Sequence, residues 1–373
     1  MVDNSAMMTP FSGINVGRIA RADWPEAARL LVSGQGQAAQ WAACALVDRW
    51  SADQAASQQL FGAFVAGRLV AAAWIEPLAG RSAILWPPRE TGTSDVSVLR
   101  AVLGECRRSM ASGGISLAQS LLKSPTPMEH ALLIEIGFAR LNDLFYLFRP
   151  VVSVLDAGRQ GLEPNDADEP GPKPSSVGRW SFGRDDTKFC DSNADADAVA
   201  GDDESPLAAE RLWFGNEHCD EAGLQFVEVA SSDRPRLASI VEDSYRETLD
   251  FPQLNGWRGV DEVLESYESI GASGSSLWRI IRFRNEDVGC LFLADHPEDG
   301  NLELVYMGVR PRFRGMGWGK SLVAHACRTA VQHARQRVVL AVDAGNEPAL
   351  RIYRSSGFSI LERRAVYVWR KPD

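Results

Sequence analysis

The chain has 373 residues, 45% hydrophobic and 24% charged, which is typical of a water-soluble protein long enough for two folded domains. Its net charge of −10 is concentrated between residues 156 and 210, where 5 basic and 14 acidic residues leave a net of −9. The rest of the chain is nearly neutral and gives no electrostatic footprint for a nucleic-acid backbone. No stretch approaches the roughly 20 consecutive apolar residues of a membrane helix.

The six cysteines are scattered and form no CxxC pair, so reduced thiols are favoured over disulfides or a zinc site. The first residues lack the basic start and apolar core of a secretory signal. We therefore expect a cytoplasmic protein that binds no metal, nucleic acid or membrane. No pattern in the sequence indicates the oligomeric state.

Residues 1–150 are predicted to form the first of two domains. The predicted elements in chain order are strands at Phe61–Val65, Leu69–Ile75 and Ala83–Trp86 and a helix at Val98–Met110. The block ends with Gly137-Phe138 and an apolar run that includes Tyr146.

Residues 151–220 are predicted to be an acidic, low-complexity linker. The segment is rich in Asp, Pro, Gly, Ser and Asn and shows no sustained hydrophobic period. Such a composition cannot bury enough apolar surface to offset the entropy cost of ordering.

Residues 221–373 are predicted to form the second domain. The predicted strands are Leu224–Val229, Trp278–Phe283, Val288–Ala294, Leu302–Val309, Val338–Val342 and Val366–Arg370, and the predicted helices are Arg234–Thr248, Gly259–Ser269, Gly317–Arg335 and Glu347–Ser356. Strands mixed with helices in this order predict an α/β (α+β) domain built on a mixed sheet.

The stretch RPRFRGMGWGK, residues 310–320, lies between a predicted strand and a predicted helix. Glycines at 315, 317 and 319 let the backbone approach a ligand closely, and the amides at a helix N-terminus attract an anion. A glycine-rich turn without a ligand is equally compatible with these three glycines. A nicotinamide site is disfavoured, because no acidic residue follows at about 20 residues.

Two motifs together resemble the GNAT (GCN5-related N-acetyltransferase) superfamily. The first is Arg314-x-x-Gly317-x-Gly319, and the second is N-x-x-A-x-x-x-Y-x-x-x-G-F, which runs from Asn346 to Phe358. The resemblance covers residues 221–373 and implies an acetyl-CoA-dependent N-acetyltransferase.

The resemblance also implies which residues hold acetyl-CoA. Backbone amides around Arg314, Gly315, Gly317, Gly319 and Lys320 would bind the diphosphate. The strand end at Met307 and Val309 would separate from its neighbour and pair with the pantetheine arm, with the Val309 N–H facing the acetyl carbonyl. Asn346 would lie at the mouth of that opening, and it is also a good helix cap.

Acetyl transfer from a thioester to an amine needs a proton acceptor for the amine and a proton donor for the thiolate. The resemblance implies that Glu303, 11 residues before Arg314, is the general base and Tyr353 the general acid. A salt-bridged or solvated carboxylate at 303 and a packed tyrosine at 353 are the structural alternatives. Tyr306 is expected to pack within the sheet.

The first domain resembles the same fold more weakly and is predicted to be a degenerate copy. When Pro88 is aligned with Pro311 and Gly137 with Gly357, the acid and the base have no counterpart, and of the glycine loop only Gly92 remains. Two such domains, one active, resemble the arrangement of the mycothiol synthase family. All coenzyme contacts would then be local, so a fragment of about residues 215–373 is expected to bind acetyl-CoA by itself.

The leading functional hypothesis is acetylation of a primary amine on a small molecule or peptide. The alternatives are an acetyltransferase for protein N-termini or lysines and a non-catalytic acetyl-CoA-binding regulator, which would need only the loop. The acceptor is expected to bind near residues 246–258, where Asp250 and Asn255 could bind an amine or be solvated.

Overall fold

The computed structural model describes residues 14–33, 39–90, 95–151 and 222–372. Two compact units are present, one made of residues 1–141 and 365–373, the other of residues 142–364. The predicted linker at 151–220 lies outside the described residues except for residue 151. The predicted α/β class is confirmed, because both units combine a mixed sheet with helices.

The first unit is a six-stranded sheet with helices packed on it. Its elements are β1 (Ile14–Arg18), α1 (Trp24–Leu31), α2 (Ala39–Ala52), α3 (Gln54–Ser57), β2 (Leu60–Val65), β3 (Arg68–Leu78), β4 (Ser82–Glu90), α4 (Val96–Ser112), β5 (Leu117–Leu122), α5 (Pro127–Glu135), the start of β6 (Ala139–Pro150) and the end of β12 (Ser359–Arg370). Within the described ranges the strand order is β1-β2-β3-β4-β5-β12, and of these pairs only β4–β5 is parallel.

Helix α4 covers one face of this sheet because its apolar side chains recur at three- and four-residue steps. Val98, Val102 and Cys106 on that stripe are fully or nearly fully buried against the small side chains of β3. Small residues such as Ala71 and Ala73 let the helix lie close to the strand. None of the helices in the described ranges is long and apolar enough to cross a membrane.

The second unit is also a six-stranded sheet between helices. Its elements are the rest of β6, β7 (Gln225–Glu228), α6 (Arg234–Tyr245), α7 (Val260–Glu268), β8 (Arg279–Phe283), β9 (Glu286–His296), β10 (Asn301–Val309), α8 (Gly319–Gln332), β11 (Arg337–Asp343), α9 (Glu347–Ser355) and the start of β12. The order is β6-β11-β10-β9-β8-β7, with β10 and β11 parallel and the other pairs antiparallel.

Each sheet is completed by a strand from the other half of the sequence. In the second unit, β6 pairs with the whole of β11, from Arg337↔Pro150 to Asp343↔Leu144. In the first unit, the last residues of β12 pair with β5, from Ala365↔Leu122 to Arg370↔Leu117. A fragment that begins at residue 215 therefore lacks β6, and we now expect that it will not fold as the second unit does.

The core of the second unit has two layers, one on each face of the sheet. Leu302 and Leu304 of β10 pack with α8 and α9, whereas Val305 and Tyr306 pack with α6 and α7. The register of β10 against β9 shifts between Leu304 and Tyr306, which marks a β-bulge. Because of that bulge, Tyr306 lies on the same face as Glu303, where strict alternation would place them on opposite faces.

Candidate active site

Strand β10 separates from β11 halfway along its length. The two strands pair only from Asn301↔Arg337 to Leu304↔Leu340, whereas β10 stays paired with β9 as far as Val309. The β-bulge that follows Leu304 turns the strand at this point. The result is a V-shaped opening between the C-terminal ends of two parallel strands.

Backbone amides line the β10 side of this opening. The Arg310 N–H donates to the Val288 carbonyl on the β9 side. Since amides in a strand point alternately to its two neighbours, those of Val309 and Met307 point away from β9, into the opening. Both residues predicted to pair with pantetheine therefore present donors there.

The loop after β10 has the backbone conformation that glycine permits. Gly315 and Gly317 have φ of 77° and 80°, and a Cβ added at either would meet nothing within 4 Å. Gly319 differs, because an added Cβ would lie 2.5 Å from Ile352 Cδ1 on α9. Gly315 and Gly317 thus leave open space beside the loop, whereas Gly319 allows α8 and α9 to pack closely.

The N-terminus of α8 faces that loop without a side-chain cap. Its N-cap residue is Trp318, which makes no capping hydrogen bond. The first amides of the helix therefore remain available for an anion. Lys320, with Arg351 and Arg354 of α9, lines an open cleft next to this helix end. The region is positively charged both by the helix dipole and by side chains.

Arg314 fastens the loop rather than pointing at the open space. Its guanidinium donates to three carbonyls, those of Val309 at 3.1 Å, Glu247 at 3.2 Å and Ser244 at 2.8 Å. The last two carbonyls lie at the C-terminal end of α6 and just beyond it. The side chain thus ties the glycine loop to the segment that follows α6.

Helix α9 places Asn346 and Tyr353 on the opposite side of the opening. The Asn346 carbonyl Oδ1 caps the helix by accepting from the Ala349 N–H at 3.3 Å, as predicted for a cap. Tyr353 is 5% exposed and packs against Phe358, yet its hydroxyl makes no hydrogen bond to any residue that the structure describes. Burial, with the charge of Asp250 second, raises the pKa of Tyr353, so the hydroxyl keeps its proton at neutral pH.

Glu303 lies inside the second unit, on the face that packs with α6 and α7. The residue is 2% exposed, and its Oε2 lies 3.0 Å from His296 Nε2 at the end of β9. The His296 side chain is itself 18% exposed, so it connects the buried carboxylate to the surface. Sequence reasoning identified Glu303 but missed His296, whose position depends on the β9–β10 register.

A buried aspartate that the sequence did not single out organises the rim of the opening. Asp343, the last residue of β11, is fully buried, and its carboxylate accepts from the Phe251 N–H at 3.0 Å and the Gly345 N–H at 2.7 Å. In return, its own N–H donates to Asp250 Oδ1 at 2.9 Å. Asn255, the other predicted amine ligand, instead donates to the Tyr245 carbonyl at 3.2 Å.

The first unit has a similar opening but a different helix end. Strands β4 and β5 pair only from Ser82↔Leu117 to Ile84↔Gln119, although β4 continues to Glu90. Helix α4 is capped by Asp95, whose carboxylate accepts from the Ser97 N–H at 2.8 Å. Hydrogen bonds from Ser97 lower the pKa of Asp95, so a negative charge occupies the position that a diphosphate would need. That the first copy is degenerate stays a prediction.

Among the described residues, no three His, Cys, Asp or Glu side chains gather as they would around a metal ion.

Comparison with known proteins agrees with this geometry. Residues 241–358 match the acetyltransferase (GNAT) family. A mycothiol acetyltransferase of Corynebacterium efficiens is 35% identical over 127 residues, which are 31% of this chain and 38% of that protein. The human N-acetylaspartate synthetase is 38% identical over 85 residues, 23% of this chain and 28% of that protein. The chain thus matches well under half the length of these curated relatives.

A solved structure extends the likeness to the whole chain. The GCN5-related N-acetyltransferase from Sphaerobacter thermophilus covers 96% of this chain and 96% of its own, with a TM-score of 0.56 and 15% sequence identity. At that identity the likeness concerns the fold alone. The fold nevertheless includes the first unit, which lies outside the matched family segment.

Proposed function

Residues 241–358 belong to the GNAT family of acetyltransferases, and on that premise we propose that this protein transfers an acetyl group from acetyl-CoA to a primary amine by direct attack. The observation that carries the proposal is the opening between β10 and β11, lined by the amides of Met307 and Val309 and followed by an uncapped helix. An extended amide-bearing arm ending in a thioester fits an opening of this kind, with its diphosphate at the helix end.

Different groups of the chain would bind different parts of acetyl-CoA. The amides of residues 314–320 and the charge of Lys320 would hold the diphosphate. The amides of Met307 and Val309 would pair with the pantetheine arm, and the Val309 N–H would face the acetyl oxygen as charge develops on it. Asn346 uses Oδ1 for its helix cap, which leaves its Nδ2 to donate toward the opening.

Two protons must move, and two residues are proposed to move them. Glu303 would accept the proton that the amine loses, with His296 at 3.0 Å as its link to the surface. Tyr353 would protonate the departing thiolate, because its hydroxyl is protonated at neutral pH and makes no hydrogen bond within the described residues. The new amide bond forms as the thioester bond breaks, so charge and protons balance.

The direct test is acetyl-CoA-dependent thiol release by the full-length protein, with amines, polyamines, amino sugars and peptides offered in turn. Transfer to a small amine would support the proposal, and transfer only to peptides or protein lysines would move the enzyme to the protein-acetylating alternative. Acetyl-CoA binding without transfer to any acceptor would instead favour a non-catalytic regulator.

Tyr353→Phe is expected to lower kcat by about 10²-fold or more, because the thiolate then leaves without a proton donor. The fold should be retained, since the ring contact with Phe358 does not use the hydroxyl. Steady-state kinetics and the melting temperature measure the two effects separately. If Tyr353→Phe keeps full activity, Tyr353 is not the proton donor and its role is packing.

Gly317→Val is expected to weaken acetyl-CoA binding by several kcal/mol, on the scale of lost charge-assisted hydrogen bonds. A branched side chain there would enter the open space beside the loop and would strain a φ of 80°. Gly114→Val is the matched control, because Gly114 has φ of 77° and equally open surroundings in the first unit. Calorimetry that shows equal affinities in both variants would remove the loop from the coenzyme site.

A further inference from the structure

The segment between α6 and α7 is bonded to both sides of the opening. Arg314 donates to the carbonyls of Ser244 and Glu247, which attaches the start of the segment to the glycine loop. Asp343 accepts from the Phe251 N–H, which attaches its middle to the end of β11. The segment therefore has a defined place at the opening, and so do the side chains it carries.

We propose that Asp250 binds the protonated amine of the acetyl acceptor and that it selects amines with no carboxylate beside the amino group. The proposal rests on the acetyltransferase function proposed above. It assigns to this enzyme a substrate class, primary ammonium groups without an adjacent acid, from residues of the chain itself.

The position of the Asp250 carboxylate follows from a backbone amide. The Ala344 N–H donates to the Asp143 carbonyl on the β6 side of β11. Because amides alternate along a strand, the Asp343 N–H points to the β10 side, where β10 has already separated. Asp250 Oδ1 accepts from that amide at 2.9 Å, so its carboxylate lies in the opening.

The carboxylate is held by a reciprocal pair of hydrogen bonds. Asp343 donates its N–H to Asp250 and accepts the N–H of Phe251, the next residue along. Phe251 has a left-handed φ of 45°, which is uncommon for a non-glycine residue and is maintained here by the bond to Asp343. Asp343 is thus a positioning residue that holds Asp250 by a direct bond to its carboxylate and by a bond to the amide of the next residue.

A second observation indicates a ligand at this place. Tyr353 is 95% buried, its hydroxyl has no hydrogen-bond partner among the described residues, and the hydroxyl oxygen is still accessible, so a ligand or water can bond to it. The charge of Asp250 acts on this hydroxyl, second only to burial. A carboxylate and the expected acid of the reaction therefore face the same space.

Aromatic side chains lie beside this site. Tyr306 contacts the ring of Tyr245 edge-on at 5.6 Å and stacks on Tyr267 at 5.4 Å, and all three are partly exposed. Asp250 is also among the charged groups that act on Tyr306. The rings pack on one another and give this side of the site an apolar wall.

An acid on the carbon beside the amine would be disfavoured here. It would lie close to the carboxylate of Asp250, and two like charges at short range repel each other.

The test compares 2-phenylethylamine with phenylalanine, which differ only by the carboxylate, as acceptors for the full-length protein. The wild-type kcat/KM for 2-phenylethylamine is expected to exceed that for phenylalanine by about tenfold or more, the scale of one charge-assisted hydrogen bond. Asp250→Asn should raise the KM for 2-phenylethylamine by about tenfold, change kcat little and bring the two amines closer together. Asp261→Asn, an exposed aspartate on α7, is the matched control and should leave both values unchanged.

Acetyl-CoA affinity, measured by calorimetry on the same proteins, separates the two proposals. Loss of that affinity in the wild type would overturn the acetyltransferase function itself. If acetyl-CoA affinity is intact, three results would overturn the role of Asp250 alone. These are a preference for phenylalanine, no transfer to 2-phenylethylamine, and a KM that does not change in Asp250→Asn.

Discussion

A fragment of residues 215–373 will not fold cooperatively, whereas a fragment of residues 142–364 will. The shorter fragment contains both motifs but lacks β6, which supplies the strand paired with the whole of β11. Residues 142–364 are the whole of the second compact unit. The difference follows from which strand completes the sheet, because both fragments carry the same glycine loop and helix α9.

The expected loss is large relative to the stability of a domain. Leu144, Tyr146 and Leu147 of β6 are buried, and each contributes about 1.5–3 kcal/mol when removed from water. Three such side chains contribute roughly 5–9 kcal/mol, which is comparable with the 5–15 kcal/mol that stabilises a typical domain. The amides and carbonyls of β11 would in addition lose their partners on one side.

Urea denaturation followed by circular dichroism decides between the fragments. Residues 142–364 should show one cooperative transition and bind acetyl-CoA, and residues 215–373 should show neither. If the shorter fragment binds acetyl-CoA with the affinity of the full chain, β6 is dispensable and this account of the second unit is wrong.

Glu303→Gln is expected to lower kcat roughly 10²–10⁴-fold while acetyl-CoA affinity stays the same. The amide keeps the volume of the side chain and can still hydrogen-bond His296, so the buried site at 2% exposure should remain filled. What is lost is the ability to accept a proton. The acidic limb of the pH–rate profile should therefore disappear together with the rate.

The matched control is Glu298→Gln, an exposed glutamate in the turn that joins β9 to β10. It changes the net charge equally but lies outside the buried pair, so its kcat should equal that of the wild type. If Glu303→Gln keeps both the rate and the acidic limb, the proton leaves by another route and Glu303 has a structural role with His296.

Local features of the site could be read from the sequence. Helix α9 was predicted at Glu347–Ser356 with Asn346 as its cap, and the structure has Glu347–Ser355 with that cap. Helix α8 was predicted at 317–335 and begins at Gly319. Caps, glycine turns and helical periods depend on residues a few positions apart, so a single sequence contains all the information they need.

Contacts between residues that lie far apart in the sequence could not be predicted from it. Asp343 bonds Asp250 and Phe251, more than ninety positions away, and neither end of that contact has a sequence signature. Arg314 lies within a recognised motif, yet its side chain binds the carbonyls of Ser244 and Glu247 seventy and sixty-seven positions earlier. Such pairs exist only once the sheet has brought α6 and β11 to the same edge.

The sequence by itself determined the glycine loop and the cap and tyrosine of helix α9, because each depends on residues a few positions apart. Only the tertiary structure decided which strand completes each sheet, that a bulge brings Glu303 and Tyr306 to one face, and that Asp250 lies in the opening. An apolar strand such as β6 has the same pattern whichever sheet it joins. Its place is selected by the burial and hydrogen bonds it gains there, and those depend on the whole fold.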